Sequence, residues 1–205
     1  MKYTKKFISI TKLSLVLILL TGCDLDLQKE YDFDEDARIY EPSPAFETTI
    51  WEFMNQQQSD FGLMVDAIQI AGLENLYTDG GDDKTILMLR NEAMQEFLDD
   101  QAAVSLEDIP IETLQKFLRY HIITERFTQN DLNSQEDVQL QTLIEGNNGR
   151  INVWKWRRYM ELQINRAGSP DLPSSAKGAS VYLHNYEFTN GVGHQMQKFV
   201  RWSPF

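Results

Sequence analysis

The sequence predicts an α+β domain, because patterns typical of helices come first along the chain and patterns typical of strands come later. In the first half, apolar residues recur at three- and four-residue spacing, as they do on one face of a helix. Beyond Asn130 the period is strand-like, and clusters of Gly, Asn, Pro and Ser separate the segments. Such segregation of helices and strands is typical of α+β folds.

Capping residues and short apolar runs set the boundaries of the predicted elements. Gly72 follows the second helical segment, where a helix commonly ends, and Pro110 suits the first turn of a later helix. Asn91 is placed to cap a helix behind the apolar run 84–89, which is short enough for a buried strand. The predicted helices cover residues 46–55, 60–72, 91–98 and 110–121. The other predicted strands cover residues 138–144, 151–165, 181–188 and 192–202.

Residues 1–22 have the pattern of a removable secretory leader. Lysines precede the apolar run, which contains Lys12 and is shorter than the ~20 apolar residues that a membrane span requires. The ending L-L-T-G-C resembles the bacterial lipobox, which implies cleavage before Cys23 and acylation of its thiol. The alternative is an ordinary signal peptide that leaves Cys23, the only cysteine of the chain, as a free thiol.

The charge of the chain excludes one class of partner. Removal of residues 1–22 takes away four lysines, which leaves 15 basic against 31 acidic residues and a formal charge of about −16. A nucleic-acid-binding protein needs a basic surface to displace counterions, so no nucleic-acid partner is expected. Residues 24–47 carry nine acidic residues and bury too little to fold by themselves. Residues 23–45 are therefore predicted to be an acidic tether.

The sequence offers little for catalysis or for a cofactor. The carboxylates of residues 78–83 lack the ligand spacing of a calcium loop, and the three histidines lack the spacing of zinc ligands. The Gly-x-Gly at 191–193 leads into a strand-like segment, whereas a phosphate-binding turn leads into a helix. We therefore predict no metal, no cofactor and no enzymatic activity. A hydrolase acting on a matrix component is the least favoured alternative.

Four segments, in order along the chain, resemble the fasciclin (FAS1) family. A-I-Q-I-A-G-L at 67–73 resembles the family's early helix, and K-T-I-L-M-L-R-N-E-A-M at 84–94 resembles its strand and turn. L-R-Y-H-I-I at 118–123 resembles the Y-H-V-V segment, and T-N-G-V-G-H at 189–194 resembles the closing T-N-G-V-I-H. The resemblance implies a FAS1-like fold for residues 46–205, with helices packed on a wedge or sandwich of β-sheet.

The resemblance implies structural roles for several residues. Asn190 and Gly191 form a strong two-residue turn signal, so they are predicted to turn one strand into the last. Gly193 then marks a bulge or a close approach inside that strand. His121 and His194 are implied to be hydrogen-bonded framework residues. The residues that match the family motif are Thr85, Asn91, Tyr120, His121, Asn190, Gly191 and His194.

The segment V-W-K-W-R-R-Y-M stands out against the acidic background. As a strand it would place Trp154 and Trp156 on one face and Lys155, Arg157 and Tyr159 on the other. These five residues are the candidate ligand-binding site, because Trp, Tyr and Arg are enriched in binding hot spots and aromatic faces stack against sugars. The alternative is that the tryptophans fill the core while the cations only offset the acidic surface.

These observations predict a lipid-anchored, extracytoplasmic FAS1 module for cell-surface adhesion or for binding a protein or glycan ligand. FAS1 domains are implied to act in adhesion and matrix contact without catalysis. The alternative is a non-catalytic accessory or structural subunit of an outer-membrane uptake or assembly complex. Acidic residues after Cys23 resemble the surface-export signal of Bacteroidetes-type lipoproteins, so we expect an outer-membrane lipoprotein exposed on the cell surface. A periplasm-facing orientation is the alternative.

Overall fold

Five α-helices lie in the first half of the described chain. The structure, a computed structural model, describes residues 44–79, 84–158 and 160–205. The predicted leader, Cys23, almost all of the predicted tether, most of the acidic loop 78–83 and Tyr159 lie outside these residues. The helices are α1 (Ile50–Gln56), α2 (Gln58–Ala71), α3 (Asn75–Thr78), α4 (Asn91–Asp100) and α5 (Ile111–Tyr120). Short 3-10 turns cover Leu106–Asp108, Gln129–Asp131 and Asn147–Gly149.

Local chemistry explains where the first helices begin and end. The amide of Glu52 donates to Thr49 Oγ1 at 3.2 Å and the amide of Thr49 donates to Glu52 Oε2 at 2.8 Å, a reciprocal capping box. Helix α1 therefore starts at Ile50. The predicted start at residue 46 was wrong. Helix α2 ends at Gly72, whose φ of +64° is the left-handed conformation that favours glycine at this position.

The strands form two four-stranded sheets. The strands are β1 (Thr85–Leu89), β2 (Ile122–Ile123), β3 (Asp137–Gln141), β4 (Arg150–Lys155), β5 (Leu162–Ile164), β6 (Ala179–Ser180), β7 (Leu183–Phe188) and β8 (Gly191–Met196). In the first sheet the strand order is β2-β1-β8-β7, and in the second it is β3-β4-β5-β6. Strand β1 pairs in parallel with β8, whereas the other pairs within named strands are antiparallel.

Helices and two sheets in one unit confirm the predicted α+β class, but two strand predictions were wrong. Residues 151–165 are not one strand: β4 ends at Lys155, the chain turns back, and β5 begins at Leu162. The backbone closes this hairpin, since the Trp156 amide donates to the Glu161 carbonyl at 2.8 Å. The last strand ends at Met196, not at residue 202, because the amide of Val200 turns inward to bond a histidine.

One apolar core joins the helices to both sheets. Every residue of β1 is buried, which confirms that the run K-T-I-L-M-L contains a buried strand. Helices α4 and α5 meet through the rings of Phe97 and Phe117, which stack with centroids 3.6 Å apart. From the second sheet, Ile151, Val153 and Leu162 are fully buried in the same core. The inner face of the second sheet therefore packs against the apolar core.

The side chain of Asn190 connects the turn before β8 to two helices. It is completely buried, Oδ1 accepts the amide of Ile50 at 3.0 Å, and Nδ2 donates to the carbonyl of Tyr77 at 2.7 Å. The first amides of a helix have no partner within the helix, so Asn190 satisfies one of these for α1. Gly191 follows with a φ of +145°, and a Cβ there would lie 2.6 Å from the Lys84 carbonyl oxygen.

Replacing Asn190 with alanine is expected to lower the free energy of unfolding by about 2–4 kcal/mol, because two buried backbone groups lose their partners. Urea denaturation of the wild type and of Asn190→Ala measures this difference. Asn148→Ala, at an exposed position, is the matched control and is expected to change stability by less than about 0.5 kcal/mol. Equal effects of the two substitutions would contradict the assigned role of Asn190.

Candidate functional site

The register of the second sheet brings polar and aromatic side chains together on its outward face. Trp154 of β4 pairs with Gln163 of β5, and Gln163 pairs with Ser180 of β6, so their side chains lie in one row. Trp156 and Glu161 form the next row on this face, because they pair across the hairpin. We call these five residues the outer aromatic face. It lies opposite the packed side of the sheet that carries Val153 and Leu162.

Two indole rings dominate the outer aromatic face. The centroids of Trp154 and Trp156 are 6.3 Å apart, with an angle of 37° between the ring planes. Trp156 is 37% exposed, and Trp154 is half-buried. The guanidinium of Arg166 lies 4.3 Å from the centroid of Trp154, close enough for a cation–π contact, and Arg166 also pairs with Asp137 at 3.1 Å. Arg166 thus fixes the ring of Trp154 from one side.

A carboxylate is held beside the indoles by its neighbours on the same face. Gln163 Nε2 donates to Glu161 Oε1 at 3.3 Å, and Ser180 Oγ donates to the same oxygen. Both donors lie on the same face as Glu161: Gln163 is two residues further along the chain, and Ser180 is opposite Gln163. The face therefore combines aromatic surface with a carboxylate, an amide and a hydroxyl whose positions are fixed by hydrogen bonds.

The structure corrects the predicted arrangement of the candidate site. Lys155 is 2% exposed, and its Nζ donates to the Gln129 carbonyl at 2.9 Å, so it lies on the packed side of the sheet and cannot contact a ligand there. Arg157 is exposed in the turn after β4 and does not continue a strand face. Tyr159 lies outside the described residues. The alternative that both tryptophans fill the core is also wrong, since Trp156 is exposed.

Two residues of the family motif around β1 bond backbone groups of neighbouring segments. Thr85 Oγ1 donates to the Glu125 carbonyl at 2.8 Å and accepts the Phe127 amide at 2.9 Å. Asn91 Oδ1 accepts the Leu63 amide at 3.0 Å, and its Nδ2 donates to the Ser59 carbonyl at 2.9 Å. Both side chains thus satisfy backbone groups of neighbouring segments.

Tyr120 links helix α5 to the second sheet. Its hydroxyl donates to the Arg150 carbonyl at 2.9 Å and accepts from Asn165 Nδ2 at 3.0 Å. Burial raises the pKa of this hydroxyl above its usual value, while the hydrogen bond from Asn165 acts in the opposite direction. Tyr120 is therefore a neutral connecting group.

Backbone amides fix opposite tautomers of two buried histidines. The Val200 amide lies 3.3 Å from Nε2 of His121 and donates to it, so Nδ1 carries the proton and donates to the Phe117 carbonyl at 2.8 Å. In His194 the Asn185 amide donates to Nδ1 at 3.1 Å, so Nε2 carries the proton. Nε2 of His194 has no hydrogen-bond partner among the described residues.

Burial keeps both rings neutral. Desolvation lowers the pKa of His121 from its usual 6.5 to about 4, with the Phe117 carbonyl opposing the shift. Desolvation, together with the nearby His184, lowers the pKa of His194 to about 3. Neither ring is a base exposed to solvent, which agrees with a framework position.

Sequence analysis missed three residues of the outer aromatic face: Glu161, Gln163 and Ser180. They join Trp154 and Trp156 only because the chain reverses between residues 155 and 162, and this turn contains none of the Gly, Pro or Asn residues that mark turns. Alternating polarity within L-Q-I was the only available signal.

Among the described residues there is no group of three or more His, Cys, Asp or Glu side chains that would hold a metal ion. Nor does that part of the chain contain a helix long and apolar enough to cross a membrane.

The fold is similar to that of a solved FAS1 structure. The structure is similar to a FAS1 domain pair from the insect cell adhesion molecule fasciclin I, with a TM-score of 0.56 at 14% sequence identity. The similarity covers 74% of this chain and 50% of that chain, so it extends over half of the domain pair. At this identity the likeness concerns the fold alone. No curated protein matches the chain.

The sequence itself establishes the family. The profile of the fasciclin domain matches residues 59–200, more than half of the chain. The chain therefore belongs to the fasciclin domain family, whose domains are related to cell adhesion. The outer aromatic face lies within the matched residues.

The two neutral histidines make stability dependent on pH. Their pKa values are lower in the folded state than the usual 6.5, so the unfolded chain binds more protons between pH 6.5 and 4. The free energy of unfolding is therefore maximal above pH 6.5 and falls as the pH decreases, by up to about 1.4 kcal/mol per pH unit for each histidine. Urea denaturation at pH 7 and pH 5 measures the loss.

Histidine NMR titration provides the residue-specific control. His121 and His194 are expected to stay neutral at pH 5 in the folded protein. A ring resonance of either residue that titrates near pH 6.5, or an unfolding free energy that is the same at pH 7 and pH 5, would contradict the burial argument.

Proposed function

We propose that the protein is a lipid-anchored, extracytoplasmic FAS1 module that binds a protein or glycan ligand at the cell surface through the outer aromatic face, without catalysis. The observation that carries this proposal is the exposure of Trp156 beside Trp154 on a sheet whose other face is packed. Tryptophan is enriched at binding hot spots, and an exposed large aromatic ring has a solvation cost that a bound ligand removes.

The electrostatics of the face also support a binding role. Arg166 and Asp137 neutralise each other, and Gln163 and Ser180 both bond the carboxylate of Glu161. Side chains fixed in this way lose little further conformational freedom when a ligand binds. The polar groups of the face are thus pre-organised around the two indoles.

The lipid anchor is the second element of the proposal. The lipobox-like ending at Cys23 supports acylation, and acyl chains contribute ~0.8 kcal/mol per buried methylene to membrane attachment. The first described residues are hydrogen-bonded to β7, an edge strand of the first sheet. The Phe46 amide donates to the Glu187 carbonyl at 2.8 Å, and the Glu187 amide donates to the Pro44 carbonyl at 2.8 Å. A pull on the tether would act on this edge, whereas the outer aromatic face belongs to the other sheet.

Acylation is tested by substitution of the cysteine. We expect Cys23→Ala to abolish incorporation of a clickable fatty acid and to move the protein out of the membrane fraction, because the chain then lacks its anchor. Cells that express the full-length wild type, labelled in parallel, provide the reference. Unchanged membrane fractionation of Cys23→Ala would contradict lipid anchoring.

The binding role is tested on intact cells. Protease shaving of cells that carry the tagged full-length protein is expected to remove the domain, and adhesion of these cells to immobilised extracellular matrix is expected to fall with Trp156→Ala. Tyr182→Ala is the matched control, because Tyr182 is 49% exposed but lies outside the outer aromatic face.

Two outcomes would count against this function. Adhesion that is equal for Trp156→Ala and Tyr182→Ala would remove the outer aromatic face from the adhesive role. Recovery of the protein in a fixed ratio with an outer-membrane protein, with the domain protected from protease, would favour the accessory subunit over the adhesion module.

A further inference from the structure

We infer that the ligand of the outer aromatic face is an uncharged polysaccharide, bound by stacking of its sugar rings on Trp156 and Trp154 and by hydrogen bonds to Glu161, Gln163 and Ser180. This inference rests on the proposed function and names its ligand class. It assigns Glu161, Gln163 and Ser180 the role of forming hydrogen bonds with the hydroxyl groups of the sugar.

The indoles supply the stacking surface. The π-face of an aromatic ring is electronegative, so it attracts the slightly positive C–H bonds on the flat side of a pyranose. Trp156 is 37% exposed, and Trp154 lies next to it at a centroid distance of 6.3 Å. That distance suits two neighbouring sugars of a chain better than a single small molecule. The two indoles therefore favour a polymer as the ligand.

The polar groups supply the complementary hydrogen bonds. Sugar hydroxyls are both donors and acceptors, and a carboxylate flanked by an amide and a hydroxyl serves both roles. The described contacts of Glu161 with Gln163 and Ser180 use Oε1, whereas a carboxylate accepts about four hydrogen bonds. Glu161 therefore retains acceptor capacity for sugar hydroxyls. The amide and hydroxyl hold the carboxylate in place, beside the ring on which a sugar would stack.

Charge decides between neutral and acidic polysaccharides. The chain beyond residue 22 has a formal charge of about −16, which repels a polyanion over most of the surface. Within the site the negative charge of Glu161 adds to this repulsion, and the cation that lies over Trp154 is already paired with Asp137. An uncharged polysaccharide carries no such penalty. Its binding is accordingly expected to be insensitive to salt.

The test is isothermal titration of the full-length protein in nonionic detergent with mixed-linkage β-glucan, xyloglucan, galactomannan and dextran, and with alginate as the acidic comparison. At least one neutral polysaccharide is expected to bind at both low and high salt. Trp156→Ala is expected to raise its Kd by about tenfold, the equivalent of one aromatic stacking contact. Trp156→Phe keeps a ring and is expected to recover part of the affinity, and Tyr182→Ala is expected to leave the Kd unchanged.

Glu161→Gln separates the polar contacts from the stacking. It keeps the shape of the side chain and removes the charge-assisted acceptor, so the Kd for the same polysaccharide is expected to rise several-fold. Circular dichroism of each variant reports whether it is folded. A folded Trp156→Phe variant keeps the test informative if Trp156→Ala does not fold.

The outcomes distinguish this inference from the proposed function. Binding of a neutral polysaccharide that is unaffected by Trp156→Ala, Trp156→Phe and Glu161→Gln would overturn the site. Binding of alginate or of a protein ligand, but of no neutral polysaccharide, with loss in Trp156→Ala would overturn the ligand class and leave the proposed function intact. Failure of all probes to bind, together with wild-type adhesion of Trp156→Ala cells, would overturn both.

Discussion

The buried amide of Asn190 is the contact on which the arrangement of the first sheet depends. It bonds the first amide of α1 and the last turn of α3, groups that lie 140 and 113 residues away in sequence. Without Asn190, both backbone groups would be buried without a hydrogen-bond partner. Because one side chain bonds both of them, the position of the turn before β8 is strongly constrained. Because Gly191 then passes within van der Waals contact of the Lys84 carbonyl, β8 is directed into place between β1 and β7.

The other polar residues of the family motif repeat this arrangement on a smaller scale. Thr85, Asn91, Tyr120 and His121 each bond backbone groups of a distant segment, and His194 accepts an amide of the neighbouring strand. These side chains are thus engaged within the domain. The proposed binding role is therefore assigned to other residues, and in this chain the outward face of the second sheet carries the two indoles.

Local signals in the sequence predicted the scaffold well and the site only in part. Helix α2 has clear periodicity and ends at a glycine, as predicted. The chain also turns before β8 as expected, but the turn residues are Thr189 and Asn190, because Gly191 already pairs with Phe188. The hairpin between Lys155 and Leu162 carries no turn residue, and reading it as one strand placed Lys155 on a ligand-binding face when it is buried. Its ammonium bonds a carbonyl of a 3-10 turn 26 residues away, a tertiary contact that no periodicity within β4 encodes. Of the two alternatives predicted for Gly193, a bulge or a close approach, the second is confirmed, since a Cβ there would meet Met88 and Phe188. The register shift of this hairpin lies in β7, where Asn185 has a φ of +64°.

The central claim is that Trp156 serves recognition and contributes little to packing, in contrast to the buried aromatic residues of the core. The most direct measurement is the free energy of unfolding of Trp156→Ala beside that of Trp202→Ala, the same substitution at a residue that is 6% exposed. The account predicts a loss below about 2 kcal/mol for Trp156→Ala and a loss of about 3–5 kcal/mol for Trp202→Ala. Equal losses at the two positions would contradict it, because Trp156 would then be a packing residue of the second sheet.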